Sequence, residues 1–325
     1  MTSDAPALSQ RAVFLILAAS VVLTALGSPL VKWLVENGGE LGLRSPGAIS
    51  FCNVLFVGNF CAGLLVLTLY GARTIFAELW QLDGRGRMLF GVSGLLAVAY
   101  PALIFTALET TTVTNVVLLS RFEVVAYAVM SWMFVKSRIT RPEAIGYALI
   151  VLGIAVLVMV ENMYMLETGD LLVIVACLVH GVAVIVSKNA LKLTGVGTFV
   201  SYRNFFSAIV FFVIATWLYG PKHFAEAFEG GLWVAMMAYA LLAVVTAQLL
   251  WYRGLRTATP SLIAVVSFPA PFITILFAFV LLGEVPGVSQ WVAMAIILVG
   301  MVVTKLRAEP KEKPVMPIDQ ALTGG

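Results

Sequence analysis

Ten apolar runs, each long enough to cross a membrane as a helix, constrain the fold of this chain more than any other feature. A helix rises about 1.5 Å per residue, so about 20 apolar residues span the hydrocarbon core of a bilayer. The runs are continuous, whereas the strands of a membrane barrel alternate with polar residues. They cover residues 11–36, 45–71, 86–108, 112–135, 142–163, 169–190, 197–219, 231–253, 258–282 and 288–307. We therefore predict an all-α membrane protein with ten transmembrane helices.

The charge content agrees with a membrane protein. Charged residues make up 11% of the chain and hydrophobic residues 61%, whereas a soluble domain carries about 25% charged residues. Lys and Arg fall mainly in the loops and tails, so the net charge of +3 predicts no nucleic-acid partner. The lipid bilayer is therefore an expected partner. The sequence leaves a monomer and a homodimer open.

The distribution of Lys and Arg predicts the orientation in the membrane. With both termini in the cytoplasm, 15 of the 20 basic residues lie inside, and only Lys32, Arg44 and Lys222 lie outside. Such a bias is typical of cytoplasmic loops. We expect a bacterial inner or plasma membrane, an N-terminal tail over residues 1–10, and a disordered C-terminal tail over residues 308–325.

An internal repeat divides the chain into two halves. After a shift of 147 positions, residues 105–153 align with residues 252–300 without a gap, and Gly153 meets Gly300. We predict one five-helix repeat over residues 11–163 and a second over residues 169–307. Because five is odd, the second repeat enters the membrane from the opposite side. Inverted repeats of this kind are typical of secondary transporters, which bind solute near the midplane.

The second repeat contains a Ser- and Pro-containing helix around Pro269, a Gly283-Glu284 turn and Gly300 in its last helix. In these features it resembles the EamA-type domain of the drug/metabolite transporter superfamily. The expected partners of such a transporter are a small-molecule solute, the lipid bilayer, and either protons or a counter-exchanged solute. Two such domains account for ten helices and nearly the whole chain. The resemblance implies transport of amino acids or other metabolites, by export or import.

The first repeat departs from the pattern of the second. Arg121-Phe122-Glu123 stands where the second repeat has Phe268-Pro269-Ala270, and Lys136-Ser137 replaces Gly283-Glu284. The departures leave the subfamily, and with it the substrate, open.

Two charged residues lie inside the fourth apolar run. A charge at bilayer depth costs roughly 2.5–3.5 kcal/mol, so Arg121 and Glu123 need a sheltered environment. In a continuous helix they would point about 200° apart, so we expect one to face the solute and the other a neighbouring helix. A guanidinium binds a carboxylate, and a carboxylate binds an ammonium group or a proton. Together they suit a zwitterion such as an amino acid. The alternative is a structural pair that holds helices together through Asn115 or His180.

Further polar, aromatic and proline residues complete the predicted pathway. The predicted solute site consists of Arg121, Glu123, Tyr100, Asn115, Tyr127, His180 and Gln248. Glu123 and His180 are the predicted proton-coupling residues, because imidazole changes charge near neutral pH. Lys32, Lys188 and Pro269 are predicted gate residues, although snorkelling to the interface also explains the two lysines. Pro29 and Pro101 are expected to interrupt the first and third helices.

The chain contains no GxxxxGK[ST], HExxH or GxSxG motif and no cysteine pair with metal-binding spacing. We therefore expect no enzyme activity, no catalytic residue, no cofactor and no metal. Cys52, Cys61 and Cys177 are expected to be small core residues. The predicted function is secondary active export of a small organic metabolite, an amino acid or similar zwitterion, by alternating access. The alternatives are a multidrug or nucleotide-sugar-like carrier and a non-transporting membrane sensor or assembly protein.

Overall fold

The structure is a computed structural model that describes residues 10–37, 50–135, 139–161, 168–220, 230–258 and 260–304. These residues form helices and short turns, and no strand occurs among them. The predicted C-terminal tail, and the N-terminal tail apart from its last residue, lie outside the described ranges, as do several of the basic loop residues used to predict orientation.

The first half of the described chain contains five membrane segments and one short additional helix. Its helices are α1 Gln10–Asn37, α2 Phe51–Tyr70, α3 Ala72–Trp80, α4 Gly84–Leu108, α5 Val113–Leu119, α6 Phe122–Val135 and α7 Arg141–Glu161. Side chains of Ser50, Asp83 and Thr112 cap the starts of α2, α4 and α5. The Asn53 amide donates to the Ser50 hydroxyl at 3.2 Å, the Gly86 amide to the Asp83 carboxylate at 2.7 Å, and the Asn115 amide to the Thr112 hydroxyl at 3.1 Å. These caps satisfy amides that a helix start leaves without a partner.

The second half contains the remaining five segments. Its helices are α8 Thr168–Ala190, α9 Val196–Tyr219, α10 (Gly230–Tyr239, a π-helical stretch Ala240–Thr246, and Ala247–Thr257), α11 Pro260–Ser267, α12 Ala270–Leu282 and α13 Val288–Val303. Within the described ranges, nine segments are long and apolar enough to cross a membrane, and α13 is a shorter apolar helix. The prediction of an all-α protein with ten membrane helices is confirmed.

The fourth and ninth segments are each broken at the same point of the repeat. Ser120 and Arg121 separate α5 from α6, and Phe268 and Pro269 separate α11 from α12. The shift of 147 places Arg121 on Phe268. A break at Pro269 follows from the missing amide hydrogen and the ring of proline. The fourth segment spans Val113–Met133 as predicted, but the turn at Ser120 and Arg121 interrupts the expected continuous helix. A separation of about 200° between Arg121 and Glu123 assumed an unbroken helix and no longer follows.

The expected interruptions at Pro29 and Pro101 were also wrong. The α1 helix runs through Pro29, and α4 runs through Pro101. A proline removes one hydrogen bond from the helix, and packing against neighbouring helices keeps its two sides aligned.

The helices of the two repeats pack in equivalent pairs. The helix α1 of the first repeat packs against α10 and α12 of the second. In the same way, α8 of the second repeat packs against α4 and α6 of the first. The last helices of the repeats, α7 and α13, also pack against each other. A Cβ atom on Gly146 would lie 2.6 Å from the Gly300 carbonyl oxygen, and one on Gly153 would lie 3.0 Å from the Ala293 carbonyl oxygen. The contact positions rise along α7 and fall along α13, so the two helices are antiparallel, as the inverted repeat requires.

The short helix α3 was not predicted. It is too short to span a bilayer, and it buries Ile75 while leaving Phe76 and Trp80 exposed. Its Glu78 carboxylate accepts from the Gly195 amide at 2.7 Å, just before α9 begins. An amphipathic helix with exposed aromatic residues is typical of the membrane interface.

Candidate functional site

Glu123 lies at the meeting point of helices from both repeats. One oxygen of its carboxylate, Oε1, accepts a hydrogen bond from the Tyr100 hydroxyl at 2.8 Å. The other, Oε2, lies 3.8 Å from His180 Nε2. The latter distance suits an ion pair with a protonated imidazole and is too long for a hydrogen bond. Tyr100 is on α4 and Glu123 on α6, both in the first repeat, whereas His180 is on α8 in the second.

The three side chains form a compact polar cluster in an apolar segment of the protein. The rings of Tyr100 and His180 pack with their centroids 4.9 Å apart. The side chain of Glu123 is 23% exposed and that of His180 is 37% exposed, so neither is sealed in the core. Glu123 also lies in the first turn of α6, where the helix dipole favours a negative charge. The break before α6 thus creates a helix start at bilayer depth, where a carboxylate is stabilised.

Arg121 lies in the break itself. Its Nε donates to the Val117 carbonyl at 3.2 Å. Among the residues described, the guanidinium forms no ion pair and no second hydrogen bond, although it carries five N–H donors. Glu123 and Arg121 form no ion pair with each other within the described residues. Glu123 lies 3.8 Å from His180 on another helix, which is the kind of contact that the structural alternative through His180 predicts.

Tyr127 lies about one helical turn beyond Glu123 on α6, and it contacts Lys188 on α8. Lys188 Nζ lies 3.5 Å from the Tyr127 hydroxyl and 5.7 Å from the centre of its ring. Lys188 is eight residues beyond His180 on α8, which corresponds to about 12 Å along the helix. These two residues therefore form a separate contact toward the end of α8.

The other predicted polar residues lie outside the Glu123 cluster. Asn115 accepts from Gln290 Nε2 at 2.6 Å and donates to the Thr111 hydroxyl at 3.3 Å. Gln248 accepts from the Asn204 amide group at 3.3 Å. Pro269 lies at the break between α11 and α12. A role in solute binding or gating remains a prediction for each of them.

Lys32 takes part in a second polar cluster. This cluster and Lys188 lie at opposite ends of the membrane segments. Its ammonium lies 3.3 Å from Glu284 Oε1 and 3.3 Å from the Thr111 carbonyl oxygen. Glu284 also accepts from the amides of Val113 and Thr114, both at 3.2 Å, and from the Thr114 hydroxyl at 3.3 Å. Sequence reasoning recognised Glu284 only as part of a family motif. Its partners are far away in sequence, so no local pattern indicated these contacts.

A cavity of about 450 Å³ opens beside Lys32. It is lined by Lys32, Val35, Glu36, Phe51, Leu108, Glu109, Thr110, Thr111 and Thr112. Its volume lies in the range of sites for small organic molecules. Tyr100, Glu123 and His180 are not among the lining residues, so the cavity and the Glu123 cluster are distinct. Across the described ranges, no group of three His, Cys, Asp or Glu residues is arranged to hold a metal ion.

Apolar segments in two inverted repeats, with a polar cluster between helices of both repeats, define a multi-pass membrane transporter of the inverted-repeat class. Residues 10–159 and 167–306 each match the EamA-like transporter family, and the chain belongs to that family.

One similar protein agrees with this assignment, and one solved structure shares the fold. An uncharacterized transporter of Synechocystis sp., sll1164, is 33% identical over 305 residues, which cover 89% of this chain and 85% of that protein. One solved structure, described as a crystal structure of a protein, shares the fold with a TM-score of 0.58 and 16% identity. The match covers 92% of this chain and 98% of the other.

Proposed function

We propose that this transporter is a secondary exporter that carries an amino acid or a similar zwitterion across the bilayer by alternating access. The observation that carries the proposal is the environment of Glu123. Its carboxylate is shared by Tyr100 and His180, and it lies two residues from Arg121, whose guanidinium bonds only a backbone carbonyl among the described residues. Opposite charges are therefore available beside each other at the break between α5 and α6.

The chemistry of the two groups matches the two ends of a zwitterion. A guanidinium offers a planar pair of donors to a carboxylate. The Glu123 carboxylate offers an acceptor to an ammonium group, and the Tyr100 hydroxyl orients that carboxylate. Charged residues inside a membrane segment are costly and mark solute or ion pathways as a rule. Solute bound here would lie between helices of both repeats, where a change in their packing alters access.

Proton coupling would use the same cluster. A proton on Glu123 removes the negative charge that attracts an ammonium group, so a proton and a zwitterion compete for one carboxylate. The imidazole of His180 lies 3.8 Å away and offers a second group that can carry a proton. Entry of a proton from outside would then favour release of the solute, which links export to the proton gradient.

Lys32, Lys188 and Pro269 are the proposed gate residues. Lys32 and Lys188 lie near opposite ends of the pathway and contact different partners. With the orientation that the charge bias predicts, both termini lie in the cytoplasm of a bacterial cell and Lys32 lies near the outer surface.

Transport into proteoliposomes tests the proposal. Purified protein is reconstituted and given labelled amino acids, amines, carboxylic acids, nucleotide sugars and aromatic cations. We expect amino acids to be carried by the wild type and not by Arg121→Ala. The matched control is Arg203→Ala, because Arg203 is an intramembrane arginine whose guanidinium bonds the Tyr252 hydroxyl at 2.9 Å. Carriage of nucleotide sugars or aromatic cations in place of amino acids would contradict the zwitterion proposal.

A further inference from the structure

We propose that Glu284 is a positioning residue that closes the outer end of the transport pathway, and that the first repeat has no carboxylate at the equivalent position of its sequence. The proposal rests on alternating access, which is part of the proposed function. It goes beyond that function by assigning a specific closing contact and a bias between the two access states.

The closing contact joins three elements of the fold. We call Lys32, Thr111, Val113, Thr114 and Glu284 the outer latch. Glu284 follows the end of α12, Lys32 lies on α1, and Val113 and Thr114 begin α5. The α5 helix ends at the break that precedes Glu123, so the latch holds the outer end of the segment that carries the candidate solute site.

The chemistry of the latch makes it a strong contact. The Glu284 carboxylate receives two amide hydrogen bonds, one hydroxyl hydrogen bond and an ammonium group, all at 3.2–3.3 Å. The side chains of Lys32 and Glu284 are 16% and 15% exposed, so solvent screens the pair less than it screens a surface ion pair. A conformation in which Glu284 moves away from both Lys32 and the start of α5 loses all of these contacts together.

Glycine gives Glu284 its position. Gly283 ends α12 with a φ of 67°, in the left-handed region. Residues with a Cβ atom rarely adopt this conformation. The turn reverses the chain directly after α12 and brings Glu284 against the start of α5.

The inner end of the pathway is built differently. The shift of 147 that aligns the repeats places Lys136-Ser137 where the second repeat has Gly283-Glu284. The first repeat therefore carries no carboxylate at this point of its sequence. Lys188, the counterpart of Lys32 near the inner end, lies 3.5 Å from a neutral phenol hydroxyl, that of Tyr127. Ionised partners form stronger hydrogen bonds than neutral ones, so among the described residues Lys32 is held more firmly by its carboxylate than Lys188 is by its phenol.

The cavity beside Lys32 adjoins the outer latch, so that opening of the latch would connect the cavity to the transport pathway. Lys32 and Thr111 belong both to the latch and to the cavity wall, and the cavity extends outward to Glu36. Leu108 forms another part of the wall, and Tyr100 is eight residues deeper on α4, or about 12 Å along the helix. Separation of the latch would thus open a route from the outer cavity toward the Glu123 cluster.

Cys177 provides a natural probe of access to the cluster. It is fully buried on α8, and its Sγ lies 3.8 Å from the Ser120 carbonyl oxygen at the break. With Cys52 and Cys61 replaced by Ala, a membrane-impermeant maleimide reports the exposure of Cys177. Right-side-out and inside-out vesicles separate outer from inner access, and the labelling needs no solute.

We expect Glu284→Gln and Lys32→Met to raise the rate of labelling from the outside by about tenfold, which corresponds to about 1.4 kcal/mol. Both variants should lower the rate of labelling from the inside, because a larger population of the outward-open state leaves a smaller population of the inward-open state. Lys32→Arg keeps the ion pair and should label at the wild-type rate. Glu109→Gln is the matched control, because Glu109 lines the cavity without belonging to the latch.

Two results would overturn the proposal. Unchanged rates in both vesicle types would show that Glu284 does not control access, and faster labelling from both sides would show that the substitutions only loosen the fold. Failure of amino acid transport with the expected labelling would reject the zwitterion proposal and leave the latch intact. Normal amino acid transport with unchanged labelling would reject the latch and leave the zwitterion proposal standing.

Discussion

Gly146 on α7 and Gly300 on α13 face each other across the boundary between the repeats. A Cβ atom on Gly146 would lie 2.6 Å from the Gly300 carbonyl oxygen, and a Cβ atom on Gly300 would lie 2.7 Å from the Gly146 carbonyl oxygen. Under the shift of 147, Gly146 corresponds to Ala293 and Gly153 to Gly300. Exchange of the two repeats therefore maps the Gly146–Gly300 contact onto a contact between Ala293 and Gly153. The structure contains that contact too. Such an exchange is the mark of a two-fold relationship between the halves.

The Gly146→Val substitution should destabilise the protein. A larger side chain meets backbone atoms of α13 that cannot move aside without separating the helices, and overpacking costs typically about 1–3 kcal/mol. We expect a lower Tm in detergent solution. Gly91→Ala is the control, because a Cβ atom on Gly91 has nothing within 4 Å and Ala is the better helix former. Equal Tm values for Gly146→Val and the wild type would contradict the close helix contact.

The Glu123→Gln substitution should abolish the dependence of transport on the proton gradient. The amide cannot take up a proton near neutral pH, and it offers no charge to an ammonium group. The transport rate of the variant should therefore be much lower than that of the wild type, and it should no longer change with the external pH. Glu109→Gln serves as the control from the outer cavity. A pH profile of Glu123→Gln that matches the wild type would remove Glu123 from proton coupling.

The Tyr100→Phe substitution isolates the hydrogen bond that orients Glu123. It removes a hydroxyl 2.8 Å from Oε1 and keeps the ring that packs against His180. A hydrogen bond to a charged group contributes about 1.5–3 kcal/mol, so we expect the KM for solute to rise by about tenfold or more. Tyr202→Phe is the control, because within the described chain the Tyr202 ring packs on Phe90 and its hydroxyl makes no hydrogen bond. An unchanged KM for Tyr100→Phe would contradict the orienting role.

The Gly283→Ala substitution should weaken the outer latch from a distance. A Cβ atom in the left-handed conformation costs roughly 1–2 kcal/mol, and relief of that strain moves Glu284 away from the start of α5. We expect outer labelling of Cys177 to increase in the same direction as in Glu284→Gln, by a smaller factor. Gly91→Ala again provides the control. A labelling rate equal to that of the wild type would show that the turn does not position Glu284.

The ten segments and the repeat could be predicted from sequence because both follow from the pattern of apolar residues along the chain. The helices α7 and α13 begin at Arg141 and Val288, and these positions differ by the shift of 147 found in the sequence. A run of apolar residues predicts a membrane helix without knowledge of its neighbours. Fold class and repeat order were therefore accessible before any coordinates.

The break at Ser120 and Arg121 was not accessible in the same way. Residues 112–135 contain no proline or glycine, so no residue in them signals a break. His180 was predicted as a proton site or a ligand of Glu123 because the charge of an imidazole changes near neutral pH. The contacts of Asn115 with Gln290, and of Glu284 with Lys32, join residues more than 170 positions apart. Only the packing of the two repeats brings them together.

Ligand-induced thermal stabilisation of the purified protein tests the central claim, that a zwitterion binds between Arg121 and Glu123, most directly. A ligand at about 100 times its Kd stabilises the folded state by about 2.7 kcal/mol, which is easily detected as a rise in Tm. We predict that amino acids raise the Tm of the wild type, and that neither Arg121→Ala nor Glu123→Gln responds. Stabilisation by phosphorylated or aromatic cationic compounds in place of amino acids, or an Arg121→Ala response equal to that of the wild type, would contradict the account.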